Sequence, residues 1–121
     1  MINVGTDIVE ISRIESCLRR ENFLKRVFGT DEIKEITNSK KMNVCSIAGR
    51  FCAKEAFLKS CGKGLNINEL KDIQILHKDS GEPYFKFSGD ILINVKEKKY
   101  NFSLSISHCR DYATAVVIRY D

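Results

Sequence analysis

Three residues of this 121-residue chain carry chemistry at positions that packing alone does not require: Asp7, Glu55 and His108. Glu55 stands in Arg50-Phe51-Cys52-Ala53-Lys54-Glu55-Ala56-Phe57-Leu58-Lys59-Ser60-Cys61-Gly62-Lys63-Gly64, a proline-free run that ends in glycines. At about 100° per residue, Val44, Ile47, Ala48, Phe51, Glu55 and Leu58 fall on one helical stripe, so the carboxylate sits inside an apolar face. A bare charge there costs several kcal/mol or is neutralised by a pKa shift, so Glu55 needs a partner. Lys59, one turn on, offers an ion pair worth about 0.3–0.5 kcal/mol at a surface. A cation shared with a second carboxylate is the other solution. One Asp and one Glu make a poor transition-metal site but suit Mg²⁺, which completes its shell with water and phosphate oxygens. Arg50, Lys54, Lys59 and Lys63, with the glycine turn over 62–64, could supply cations and N–H groups to several phosphates. His108 reads either as a hydrogen-bonded core histidine or as a phosphate or proton contact. The chain has no G-x-x-x-x-G-K-[ST] or G-x-G-x-x-G motif, so neither a P-loop nor a dinucleotide fold is indicated.

Positioning these residues falls to a recognisable set of elements. Residues 1–7 alternate Ile2 and Val4 and predict a short strand that delivers Asp7 near its end. Ser12 with Glu15 fits a capping box and predicts a helix over 12–20, burying Ile11, Ile14 and Leu18 and turning Arg13 and Arg20 outward. A basic helix face is by default just solvated. A short helical or irregular segment over 22–28 follows, then a helix to about residue 38 capped at Thr30, with Asp31 and Glu32 in its first turn. The central helix spans 43–61, and Gly62 or Gly64 takes the left-handed position beyond it. It is apolar on so many sides that it belongs in the middle of the domain, and Gly49, Ala53, Ala56 and Ser60 allow close backbone approach. Strands follow around Ile73 and Ile75 and over 84–87, with Pro83 at a strand's first residue, where a missing N–H is tolerated. Residues 91–99 read as a helix with Asp90 as its cap. The runs 102–108 and 113–120 form a hairpin. The fold class is α+β in one domain over 1–121, a long central helix packed on a mainly antiparallel sheet.

No apolar run approaches the ~20 residues of a membrane span, and the N-terminus lacks a signal-peptide pattern. Five cysteines, odd in number and without a C-x-x-C pair, read as reduced thiols of a cytoplasmic protein, not as disulfides or a zinc site. A net charge of +4 suits an acidic partner without naming it.

Val4-Gly-Thr-Asp7-Ile-Val-Glu-Ile-Ser-Arg13-Ile, Arg50-Phe-Cys-Ala-Lys54-Glu55-Ala-Phe-Leu-Lys59 and Ser105-Ile-Ser-His108-Cys-Arg-Asp-Tyr112-Ala together resemble the holo-acyl-carrier-protein synthases, the small bacterial-type 4′-phosphopantetheinyl transferases. The motifs occur in the family's order and spacing across nearly the whole chain. Departures are mild: Phe51 and Cys52 stand where Trp or Phe and Ala are common, and Cys109 where Ser is usual. The resemblance implies transfer of phosphopantetheine from coenzyme A to a serine of apo-acyl carrier protein. It also implies Mg²⁺ on Asp7 and Glu55, and catalysis by Glu55, Lys59 and Asp7, with Glu55 as first candidate for the base. Coenzyme A would contact Arg50, Lys59, Gly62, Lys63, Gly64, Pro83 and His108. The acidic carrier would dock on Arg13 and Arg20, and the assembly would be a homotrimer with active sites at subunit junctions, with no nucleic acid and no membrane involved. A reading from another class is a small basic RNA- or nucleotide-binding module without catalysis. Its stacking strand would be Tyr84, Phe85 and Phe87, and it leaves Asp7 and Glu55 unexplained.

Overall fold

The computed structural model describes residues 1–38, 43–62 and 70–121. In chain order the elements are β1 (Ile2–Glu10), α1 (Ile11–Leu18), α2 (Phe23–Val27), α3 (Thr30–Asn38), α4 (Val44–Ser60), β2 (Ile73–His77), β3 (Pro83–Phe87), α5 (Gly89–Lys98), β4 (Asn101–His108) and β5 (Tyr112–Tyr120). β1, β5 and β4 form an antiparallel sheet in that order, and β2 and β3 a separate antiparallel hairpin.

α4 lies between these layers and is buried around most of its circumference, from Ile47 and Ala48 through Ala53 and Ala56 to Phe57 and Leu58. Asn43 caps its start, its side chain accepting from the Ser46 N–H. Gly62 follows its end at φ 73°, the left-handed conformation that glycine adopts without a Cβ penalty. The sheet meets the helix through small residues. Ala113 and Ala115 of β5 point at α4, and a Cβ on Gly5 would lie 1.9 Å from the Ala56 carbonyl oxygen. Gly49 plays the same part toward Ile106 of β4. On the other side Phe57 packs its ring against Phe85, Phe87 and Phe102, with centroids 5.4, 5.0 and 4.8 Å away. Two of the aromatics offered as a base-stacking strand are therefore part of this internal cluster, and only Tyr84 of the three faces out.

Several boundaries differ from those the sequence predicts. β1 runs on to Glu10 because Ile8, Val9 and Glu10 keep pairing with Thr114, Ala113 and Tyr112, so Asp7 stands within the strand. α1 then starts at Ile11, whose N–H bonds the Asp111 carbonyl, and the Ser12–Glu15 capping box does not form. α3 begins at Thr30, and its first turn is capped from β2: the Gln74 Oε1 accepts from the Asp31 and Glu32 N–H groups. Asp90 lies in the first turn of α5, after Ser88 at the N-cap. Among the described residues no helix is long and apolar enough to cross a membrane.

Candidate active site

Asp7 belongs to the set of alternate β1 residues, with Gly5 and Val9, that face α4. The missing side chain at Gly5 lets the strand approach the helix backbone and carries Asp7 to the Glu55 side of α4. Lys59 reaches across rather than along its helix. Its Nζ donates to the Thr6 carbonyl at 3.0 Å and lies 3.5 Å from Asp7 Oδ1. Burial pushes the Glu55 carboxyl up to about 8, with a hydrogen bond and charge from Asp7 acting in the same direction and Lys59 opposing them. Asp7 Oδ2 is buried without a hydrogen-bond donor. Two carboxyls pressed together, one with an orphaned oxygen, form the arrangement that a divalent cation relieves. Among the described residues no group of three or more His, Cys, Asp or Glu side chains could hold a metal. A cation held here would have two protein ligands and the rest of its shell open to water and phosphate oxygens, the kind of site that suits Mg²⁺.

The other candidates are spread over several further places. Arg50 is on a different side of α4 and is buried, its Nη1 bonding the Ile75 carbonyl at 2.9 Å and its Nη2 the Glu35 carboxylate at 2.9 Å. The same Nη2 lies 3.3 Å from His77 Nδ1. Burial acts to raise Glu35, but hydrogen bonds from His77 and Arg50 hold it below its ordinary range. Pro83 opens β3 opposite His77 and lines a cleft of about 400 Å³ between β3 and β4. His108 ends β4, exposed, on the face that Phe102, Leu104 and Ile106 turn to the helix. Its row across the sheet is Val9–Ala113–His108, next to the Asp7–Ala115–Ile106 row, so β5 separates it from Asp7 by two strand spacings, about 10 Å. Gly62 lies just past Lys59, whose carbonyl its N–H bonds at 3.2 Å. Lys63 and Gly64 fall outside the described residues. Arg13 and Arg20 are exposed on α1 and just beyond it, shortly after the strand that carries Asp7.

Lys54 is not available to phosphate. It is fully buried, its Nζ donating to Glu32 Oε1 at 2.6 Å and to the Leu70 and Ile73 carbonyls at 2.8 and 2.6 Å. Burial draws the Lys54 ammonium down to about 8 and the Glu32 carboxyl up, while their mutual attraction opposes both shifts. Glu32 also accepts from the Gly29 and Ile75 N–H groups. Sequence reasoning placed Glu32 only as a helix-start acid and missed Glu35, His77 and Gln74 altogether. Their partners are more than a dozen residues away, so no local pattern marks them.

The chain thus sets two carboxylates and a lysine where a long helix crosses a strand of a mainly antiparallel sheet. The family model of the 4′-phosphopantetheinyl transferase superfamily matches residues 3–117, and the chain belongs to that superfamily. It is 38% identical over 120 residues to the holo-[acyl-carrier-protein] synthase of Fusobacterium nucleatum, covering 98% of each chain. It superposes on the crystal structure of the holo-[acyl-carrier-protein] synthase of Neisseria meningitidis with a TM-score of 0.89 at 31% identity, covering all of both chains. The corresponding Helicobacter pylori protein, solved in complex with coenzyme A, gives 0.80 at 34% identity over 97% of this chain and 99% of that one. The expected fold class, α+β with a long central helix on an antiparallel sheet, is the one observed.

Proposed function

We propose that this protein is a holo-[acyl-carrier-protein] synthase. It moves the 4′-phosphopantetheine group of coenzyme A to a serine hydroxyl of an apo-acyl carrier protein. The observation that carries the reading is the Asp7–Glu55 pair, with its buried orphan oxygen and Lys59 beside it. The serine oxygen forms a bond to the β-phosphorus while the bond from that phosphorus to the bridging oxygen breaks. Adenosine 3′,5′-bisphosphate leaves with the electron pair. Asp7 and Glu55 would hold Mg²⁺, which when bound supplies positive charge against the pyrophosphate oxygens. The exposed Lys59 ammonium holds a phosphate oxygen and lessens the charge on the departing group. Glu55 takes the serine proton directly or through a water. Pro83 walls the nucleoside end of coenzyme A, Arg50 fixes β2 behind it, and the turn at Gly62 lies beside the phosphates.

Support for a homotrimer with shared sites comes from two features. The outer sheet face leaves Ile2, Val4 and Ile8 exposed at 74%, 58% and 65%, beside Val116, Ile118 and Tyr120. Such a contiguous apolar face suits contact with another copy. His108, exposed at the end of β4 and about 10 Å across the sheet from Asp7, would be open to a neighbouring subunit's coenzyme A. The acidic carrier docks on Arg13 and Arg20. None of the five cysteines is in a disulfide, which suits a cytoplasmic setting.

The test is to incubate the protein with coenzyme A, Mg²⁺ and an apo-carrier and weigh the carrier, which should gain one phosphopantetheine. Asp7→Ala and Glu55→Ala should each lose about 1000-fold or more in rate, several kcal/mol of barrier, while remaining folded by circular dichroism. Near-normal Mg²⁺-dependent transfer in either variant would falsify the metal assignment. A carrier of unchanged mass would favour the non-catalytic binding module.

A further inference from the structure

One stripe of α5 runs Ile91, Asn94, Val95, Lys98, spaced three and four residues apart as a single helix face requires. With Phe57 of α4 and Tyr100 beyond α5, it lines a half-enclosed cavity of about 140 Å³. Two residues turn a helix by about 200°, so Phe57 stands on the opposite side of α4 from Glu55. The cavity is therefore separate from the paired carboxylates. Its lining is graded. Ile91 and Phe57 are 2% and 1% exposed, Asn94 and Val95 are half-buried, and Lys98 is exposed at the mouth. A second cation stands there, because Tyr100 carries the Arg119 guanidinium over its ring at 4.1 Å from the centroid, with Lys98 Nζ at 5.8 Å. Lys96 and Lys99 add to this positive end of α5, with Glu97 as the neighbouring acid. The Lys99 and Tyr100 N–H groups bond the Lys96 and Val95 carbonyls, so a ligand's head group meets side-chain cations at the mouth.

We infer that this cavity is a binding site for a small carboxylate with an apolar tail, about six carbons in all. The tail occupies the space among Phe57, Ile91 and Val95, and the carboxylate faces Lys98, with the Asn94 amide beside it. Size and gradient carry the inference. An apolar cavity of about 150 Å³ takes up benzene, so this one has room for a short hydrocarbon chain. Ile91 and Lys98 are about 10 Å apart along the helix axis, the length of such a chain with its head group. A cationic amphiphile would instead meet Lys98 and Arg119 with like charge.

The experiment titrates the whole protein with butanoate, hexanoate, octanoate, hexanol and hexylamine, with binding read by ligand-observed NMR. Hexanoate should bind about tenfold tighter than butanoate, the gain of burying two more methylenes, and octanoate should gain nothing further once the space is full. Hexanol should bind more weakly and hexylamine not at all. Lys98→Glu, a change at an exposed position, should weaken hexanoate about fivefold and leave hexanol unaltered. Val95→Trp, which fills the space, should abolish binding of both in a protein that circular dichroism shows to be folded. Saturating coenzyme A should leave hexanoate bound. The inference is overturned by no uptake of hexanoate, by affinity that keeps climbing to octanoate, or by equal affinities for hexanoate and hexylamine. Undiminished hexanoate binding in Lys98→Glu or in folded Val95→Trp overturns it as well. So does displacement by coenzyme A, which would make the cavity part of the coenzyme's own site.

Discussion

At neutral pH without metal, the Glu55 carboxyl keeps its proton, because ionising it would place a second negative charge against Asp7 in a poorly solvated site. In the unfolded chain the same group gives up its proton near 4.5. The folded state therefore binds the extra proton between that value and about 8, and the Glu55 contribution to stability falls as pH rises through this window. Glu55→Gln removes the slope. Metal-free Glu55→Gln should equal wild type at about pH 5 and be more stable by about 1–3 kcal/mol at about pH 9, read by urea denaturation. Curves that run parallel for both proteins would sink the assignment. Glu55 was legible in the sequence because helical periodicity alone puts it among apolar residues. What Asp7 and Lys59 do with one another was not, since their 3.5 Å approach spans 52 residues of chain and depends on a strand–helix crossing.

That crossing is where element and site meet. Gly5 reads in the sequence as one residue of an alternating strand, and nothing local reveals that the Ala56 carbonyl occupies the space of its absent side chain. Gly5→Ala must drive β1 off α4, because the obstructing atom is backbone. The expected loss is about 3 kcal/mol or more, with Mg²⁺ affinity falling as Asp7 leaves Glu55, measured by denaturation and calorimetry. A variant of unchanged stability and affinity would show that the close approach is not what places Asp7. Strands and helices themselves were legible from period and punctuation, including α5 despite its β-branched residues. Their ends were less so: β1 outruns its expected limit because pairing with β5 continues, and that pairing overrides the Ser12 capping signal.

For the whole molecule, the apolar sheet face and the basic helix face make separate predictions. Sedimentation at micromolar concentration should find three chains, and Ile8→Asp, which charges the centre of the outer face, should release monomers that have lost transfer activity. A wild-type monomer with full activity would count against shared sites. Arg13→Glu should leave the assembly intact and raise KM for the apo-carrier about fivefold or more at low salt, less at high salt, with coenzyme A affinity unchanged by calorimetry. Equal carrier kinetics would return Arg13 and Arg20 to an ordinary solvated surface. Neither face could be assigned an occupant from composition, since exposure is a property of the folded chain. The buried Lys54–Glu32 contact bears on how such a sequence can drift. Either residue lost alone strands a charge in the core, at about 3–5 kcal/mol, whereas an apolar pair of matching volume is tolerable. The two positions therefore form one inherited unit: descendants of this chain should keep both or exchange both, and single replacements should be weeded out even in lineages where the enzyme's chemistry is under no selection.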